Sequence, residues 1–356
     1  MRASHMVVDL NKFNNNINKI KKYVGNKTLI PVIKANGYGT YINTRLDVID
    51  KFDIVAVAIV KEAVELRNIG YYKEILVINQ PCSLDIEDII KYDITIGVSD
   101  LEFIKKIIDT KEKIKVHLEI ETGMNRTGIK VKDLESIIKL IKNSNLIVEG
   151  VYTHLSSADS DEEYTLKQLD TFKDGVALVR DNFSTIKYIH SGASNGLLKY
   201  DDGISNACRP GLVMYGYETF DNMYSFIDVE PIATLKSMIT FLKEVDIDES
   251  ISYSRRFITK RKSKIATIPI GYADGIRRSL TNNGYVIVNN KKAPIVGTVC
   301  MDSFMIDVTD IECKVGDEVY IWDNQNITLD EVAKECNTIN YEILCTISNR
   351  VPRIFK

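Results

Sequence analysis

Residues 29–39 read Leu-Ile-Pro-Val-Ile-Lys-Ala-Asn-Gly-Tyr-Gly, an apolar run that delivers one lysine into a turn of small residues. Ile30, Val32 and Ile33 have the branched texture of a buried strand, and Lys34 stands at its end. An ammonium in that position either snorkels to solvent along its methylene stem or is held partly desolvated, where a lowered pKa makes the amine a nucleophile. The rest of the chain decides between the two.

Seven further apolar, β-branched runs follow the first: after 28–35 come 54–60, 74–80, 94–99, 115–121, 146–155, 186–194 and 208–216. Amphipathic segments such as 61–69, 100–109, 132–142 and 161–182 lie between them, an alternation that predicts an α/β fold, a (β/α)8 TIM-type barrel over residues 7–229. Functional groups in such a barrel gather at the C-terminal ends of the strands. After Tyr217 the stretches shorten (232–246, 264–271, 285–289, 293–299, 303–308, 318–322) and turns such as Asn282-Asn283-Gly284 separate them. That texture predicts a C-terminal all-β domain over 230–356, with the boundary near Pro231. Residues 1–6, Met-Arg-Ala-Ser-His-Met, read as an expression-tag scar outside the fold, and the Asn-rich 14–18 as the solvated face of the first helix.

Composition excludes several functions. A net charge of −3 over 356 residues and the lack of a basic cluster with interleaved aromatics leave no footprint for nucleic acid. The six cysteines show no Cys-x-x-Cys spacing and read as reduced core thiols of a cytoplasmic protein. Four histidines, one of them at His5, give little to build a metal site from, and none is expected. No apolar stretch reaches the roughly 20 residues that span a bilayer, so this chain itself makes no membrane contact.

Lys34-Ala35-Asn36-Gly37-Tyr38-Gly39 resembles the lysine motif of the alanine racemase family, and the likeness continues in order along nearly all of residues 7–355. It runs through Glu121-Thr122-Gly123-Met124-Asn125-Arg126, His190-Ser191-Gly192-Ala193-Ser194-Asn195 and Arg209-Pro210-Gly211-Leu212 in the first part. In the second part it runs through Ile251-Ser252-Tyr253-Ser254, the block 268–275, the block 297–302, Ile339-Asn340-Tyr341-Glu342 and the block 350–355. Members of that family hold pyridoxal 5'-phosphate on the lysine as a Schiff base. The resemblance implies that Ser194, the backbone N–H groups of Gly211 and Leu212, and the hydroxyls of Tyr38 and Tyr341 hold the cofactor phosphate. It implies that Arg209 faces the pyridine nitrogen with His154 behind it. An arginine does not hand over its proton, so the ring remains a weak electron sink, which favours racemisation over transamination. Lys34 and Tyr253 become the two proton-transfer groups, Tyr253 reaching the partner subunit of a head-to-tail homodimer with shared active sites, with Arg209 and His154 supplying a field that lowers its pKa. Arg126, oriented by Glu119, and the amide of Met301 meet the substrate carboxylate, and Tyr272 lines the access path.

The sequence departs from the family pattern at several points. Glu119 stands where many members carry a carbamylated lysine, so no carbamate is expected, and Ala193, Thr298 and Asn349 replace residues that are commonly polar, arginine, and tyrosine or arginine. A site altered at its edge suits alanine, serine or both, because an apolar pocket rejects an added hydroxyl only weakly. The abrupt start of the likeness at Val7 resembles the catalytic domain of the membrane-anchored serine racemases of vancomycin resistance. The function so implied is racemisation of alanine and serine, supplying D-amino acids for cell-wall precursors, in the cytoplasm or on the cytoplasmic domain of an anchored protein. A decarboxylase of the same architecture and a non-catalytic cofactor-binding barrel are the other readings; Arg209 opposes the first, and Tyr253 with the block 297–302 opposes the second.

Overall fold

A computed structural model of the chain describes residues 2–356, which separate into two compact units. The first comprises Asn14–Gly37 and Ile42–Glu230. Its sheet runs Ile54–Val57, Glu74–Val77, Thr95–Val98, Lys115–Glu121, Ile147–Tyr152 and Tyr188–His190, all parallel and neighbours in chain order. Thr28–Leu29 pairs in parallel with Ala207–Cys208. Backbone bonds close the circuit: Ile33 N–H donates to the Ala56 carbonyl at 2.9 Å, Asn206 N–H to that of Ile189 at 3.1 Å, and Arg209 N–H to that of Gly192 at 2.8 Å. The result is an eight-stranded (β/α)8 barrel without a free edge.

The covering helices form where apolar residues recur at helical spacing. Leu134–Lys142 buries Leu134, Ile137, Ile138 and Ile141 against the sheet. Asp100 and Asp161 cap the next helices, accepting from Phe103 N–H and Tyr164 N–H at 2.8 and 2.9 Å. The first helix, Leu10–Val24, corrects one expectation from sequence. Asn16 is fully buried within the Asn-rich stretch, donating to the carbonyls of Met214 and Glu230 at 3.1 and 2.8 Å. It is a tie between backbone groups that have no ladder partner, not part of a solvated face.

The second unit comprises residues 2–13, 38–41 and 231–356. Its nine-stranded sheet is ordered Phe241–Val245, Ser263–Ile268, Phe304–Asp307, Lys291–Val296, Tyr285–Val288, Glu318–Trp322, Ala233–Met238, His5–Val8, Arg353–Phe355. Residues set aside as a scar, and the first residues assigned to the barrel, thus belong to this sheet. Met6 and Val8 alternate inward, and the buried Ser4 hydroxyl donates to the Pro269 carbonyl at 2.9 Å. The unit is the expected β domain, mostly strand, and it also carries the helices Leu329–Glu335 and Asn340–Thr346. The capping box that starts the first is written in Thr328-Leu329-Asp330-Glu331: the Thr328 hydroxyl accepts from Glu331 N–H at 3.1 Å and the Glu331 carboxylate from Thr328 N–H at 2.7 Å. Of the six cysteines only Cys208 is buried, while Cys82 and Cys345 are exposed, so the core-thiol reading holds for one. Among the described residues no helix is long and apolar enough to cross a membrane.

Candidate active site

The buried strand residues Ile30, Val32 and Ile33 deliver a half-buried Lys34. Ala35, Asn36, Gly37 and Tyr38 then follow with φ of 51°, 54°, 59° and 53°, a whole turn in the left-handed region. Only glycine is at ease there, and other residues each lose roughly 1–2 kcal/mol. Specific bonds hold the turn. Gly37 N–H donates to the Ile33 carbonyl at 3.0 Å, and one oxygen of Glu62 accepts from Ala35 N–H at 2.6 Å while the other accepts from Ala58 N–H at 2.8 Å. Glu62 is absent from the sequence candidates. Its signal is its place as third residue of the helix Val60–Asn68, where a carboxylate reaches back to free backbone N–H groups.

Arg209 is 1% exposed. Nη1 donates to His190 Nδ1 at 2.6 Å and to the His190 carbonyl at 2.5 Å, and Nη2 donates to the Thr153 and Ser191 carbonyls at 2.7 and 3.2 Å. His154 Nδ1 lies 3.5 Å from Nη2. The buried Nε–H has no partner among the described residues. Tyr152 lies under this group: its ring stacks on that of His190 at 5.2 Å and 3°, and the guanidinium carbon stands 5.4 Å from its centroid.

Burial, reinforced by the charge of Arg209, pushes the imidazoles of His117 and His154 down to about 3 and that of His190 well below its ordinary value. Burial also lowers Arg209, to about 10, which leaves it charged at neutral pH. His154 is therefore neutral. Of the two groups expected to give a positive field, only the guanidinium carries charge. Lys34 and Arg126 also act on His154, which gathers these residues with Arg209 at one mouth of the barrel. Glu119 is buried, and burial raises its carboxyl, against the opposing effects of a bond from Thr127 and the charges of Arg126 and Arg209. Ser194 Oγ accepts from the N–H groups of Gly211 and Val213 at 3.2 and 3.5 Å, with Leu212 buried between them in sequence.

In the mostly-strand unit the structure brings together Tyr253, Tyr272 and Met301, which are 70%, 42% and 53% exposed. Tyr272 N–H donates to the Cys300 carbonyl at 2.9 Å, and Ala273 N–H to that of Met301 at 3.0 Å. The Ser252 hydroxyl donates to the Thr298 carbonyl at 2.7 Å. Gly297, at φ +77°, lets this strand end approach: a Cβ there would lie 2.7 Å from the Ile251 carbonyl oxygen. Tyr38 and Tyr341 sit with ring centroids 6.2 Å apart in the same unit.

A barrel that presents a lysine on a strained turn, beside a buried guanidinium with one donor unused, is the frame of a barrel-type pyridoxal phosphate enzyme. The comparisons narrow the class. Residues 8–219 match the family described as "Alanine racemase, N-terminal domain" and residues 232–355 the one described as "Alanine racemase, C-terminal domain". The chain is 37% identical to "Alanine racemase 2" of Caldanaerobacter subterraneus subsp. tengcongensis, over 100% of this chain and 95% of that one. It is 38% identical to the alanine racemase of Halothermothrix orenii, over 100% and 97%. Among solved structures, the alanine racemase of Clostridium difficile 630 superposes with a TM-score of 0.92 at 34% identity, over 100% and 96% of the two chains. That of E. faecalis gives 0.93 at 30%, over 100% and 98%. The chain belongs to the alanine racemase family, whose cofactor is pyridoxal phosphate.

Proposed function

We propose that this protein interconverts the L and D enantiomers of alanine, and of serine in addition, with pyridoxal phosphate held on Lys34. The observation that carries the proposal is Arg209: a buried cation whose Nε–H is unpartnered offers a hydrogen bond to a lone pair and no transferable proton. That fits an unprotonated ring nitrogen and opposes the decarboxylase reading. The serine hydroxyl at Ser194 with the nearby amides of Gly211 and Leu212, and the hydroxyls of Tyr38 and Tyr341, are the residues that would hold the phosphate.

When bound, the cofactor draws electrons from the Cα–H bond of the amino acid attached to it. The chain supplies the rest. Lys34 takes or returns the α-proton on one face. Tyr253 of a partner copy serves the other, and its exposure in a single chain suits that role. Arg126, with Glu119 behind it as an unmodified anion, orients the substrate carboxylate, assisted by the Met301 amide; Tyr272 narrows the access path. The product fits supply of D-amino acids for cell-wall precursors, and serine turnover would fit the resistance-linked serine racemases.

The test follows α-proton loss and chirality by proton NMR in deuterated buffer with added pyridoxal phosphate, for L-alanine and L-serine separately. Exchange with racemisation of alanine is expected. Release of an amine would favour the decarboxylase, and inertness toward both substrates would favour a cofactor-binding barrel.

A further inference from the structure

The barrel interior holds a histidine pair that the proposed reaction does not use. His190 Nε2 and His117 Nδ1 lie 2.9 Å apart, both rings fully buried. Guanidinium groups only donate, so Nδ1 of His190, which receives Arg209 Nη1 at 2.6 Å, is a bare lone pair. A neutral imidazole then carries its proton on Nε2 and donates it in a hydrogen bond to His117 Nδ1, which is a bare lone pair in turn. Hydrogen-bond polarity thus runs one way, from Arg209 through His190 to His117, and ends at a His117 Nε2–H that has no partner among the described residues. Each imidazole turns its lone pair toward the buried cation.

The barrel is shaped around this ring. His117 pairs in register with Gly97 on one side and Gly150 on the other. A Cβ on Gly150 would stand 2.5 Å from His117 Nδ1 and 2.6 Å from Cε1. The ladder also slips by one residue between Val116 and His117, a bulge of the kind that re-aims a side chain. A glycine at 150 that leaves room for the ring and a slipped register are more than a core filler requires.

We propose that His117 is a positioning residue: by accepting from His190 Nε2–H it holds that ring in the tautomer and orientation that present Nδ1 to Arg209, and so steadies the plane of the Arg209 guanidinium and the aim of its unused Nε–H at the cofactor ring nitrogen. This rests on the racemase reading only for the identity of the acceptor. The tautomer order belongs to the chain alone.

The test uses His117→Phe, which keeps a ring and removes the acceptor, and His117→Asn, which keeps an acceptor near the Nδ1 position. With only four histidines, 15N-histidine NMR of the protein reports each imidazole directly. Expected is a single His190 tautomer, protonated at Nε2, in the parent and the Asn variant, and a mixture in the Phe variant. In the loaded enzyme the Phe variant should lose about tenfold in kcat with KM little changed and a displaced pH profile, and the Asn variant should recover most of that loss. A parent His190 protonated at Nδ1, or a Phe variant with parental tautomer and kcat, overturns the proposal. If the Phe variant does not fold, the parent spectrum and the Asn variant decide. Correct tautomers without alanine exchange would overturn the racemase reading and leave the lock standing; reversed tautomers with full exchange would do the opposite.

Discussion

The Thr298 hydroxyl donates to the carbonyl oxygen of Tyr253 at 2.9 Å. Thr298 thus pins the exposed tyrosine, whose neighbours Ser252, Ser254 and Arg255 all have positive φ, at 65°, 60° and 49°. Replacing Thr298 by Val keeps the shape and loses the bond, worth about 1 kcal/mol. A several-fold lower kcat is expected with cofactor absorbance unchanged, while Thr298→Ser stays near the parent. Equal kcat in the Val variant would dissociate Thr298 from Tyr253.

Tyr253→Phe should remove exchange of the L-substrate α-proton by roughly 10²- to 10⁴-fold, the usual scale for a lost general base or acid. Lys34 should still capture cofactor, visible by absorbance. Because the site is proposed to be shared, mixing Tyr253→Phe with Lys34→Ala chains should restore activity through hybrid dimers. Failure of the mixture to recover would place both groups on one chain.

Gly150→Ala should destabilise the barrel by about 1–3 kcal/mol, because the new methyl competes with the His117 ring. The loss should shrink in a His117→Ala background. Urea titrations of the two single variants and the double variant measure that coupling, and simple additivity would mean the two side chains do not compete.

Acid should weaken the fold through its histidines. Unfolded imidazoles titrate near 6.5. In the fold, burial and Arg209 hold His117 and His154 at about 3 and His190 well below its ordinary value. As pH falls the unfolded chain takes up protons first, so this stability is complete above about pH 6.5 and is lost toward about 3, at about 1.4 kcal/mol per pH unit for each ring. Glu74 and Glu119, whose carboxyls burial raises, act in the opposite sense at the acid end. The urea midpoint should drop from pH 7 to pH 5, and less steeply in His117→Phe. A flat parental midpoint would mean that the rings are already charged.

What sequence reveals here follows the range of the physics. The barrel strands are legible because each buries a continuous apolar run, and helices such as Leu134–Lys142 because their apolar period is local. The pairing of His117 with His190 spans 73 residues and depends on a slipped register, which no period along the chain encodes. His5–Val8 escaped because four residues carry no periodic signal and their partners lie at 233–236 and 353–355. The helix Leu329–Glu335 carries its start signal in the capping box of Thr328 and Glu331, but at seven residues amid short strands its apolar period is too brief to stand out.

The left-handed turn after Lys34 is held from outside as well as from within. Three of its four residues are not glycine, and beside the local bond from Gly37 N–H to the Ile33 carbonyl one tether comes from Glu62, 27 residues downstream of Ala35. Placement of the lysine is thus coupled to the seating of the helix Val60–Asn68, so a change that shifts that helix reaches Lys34 without touching it.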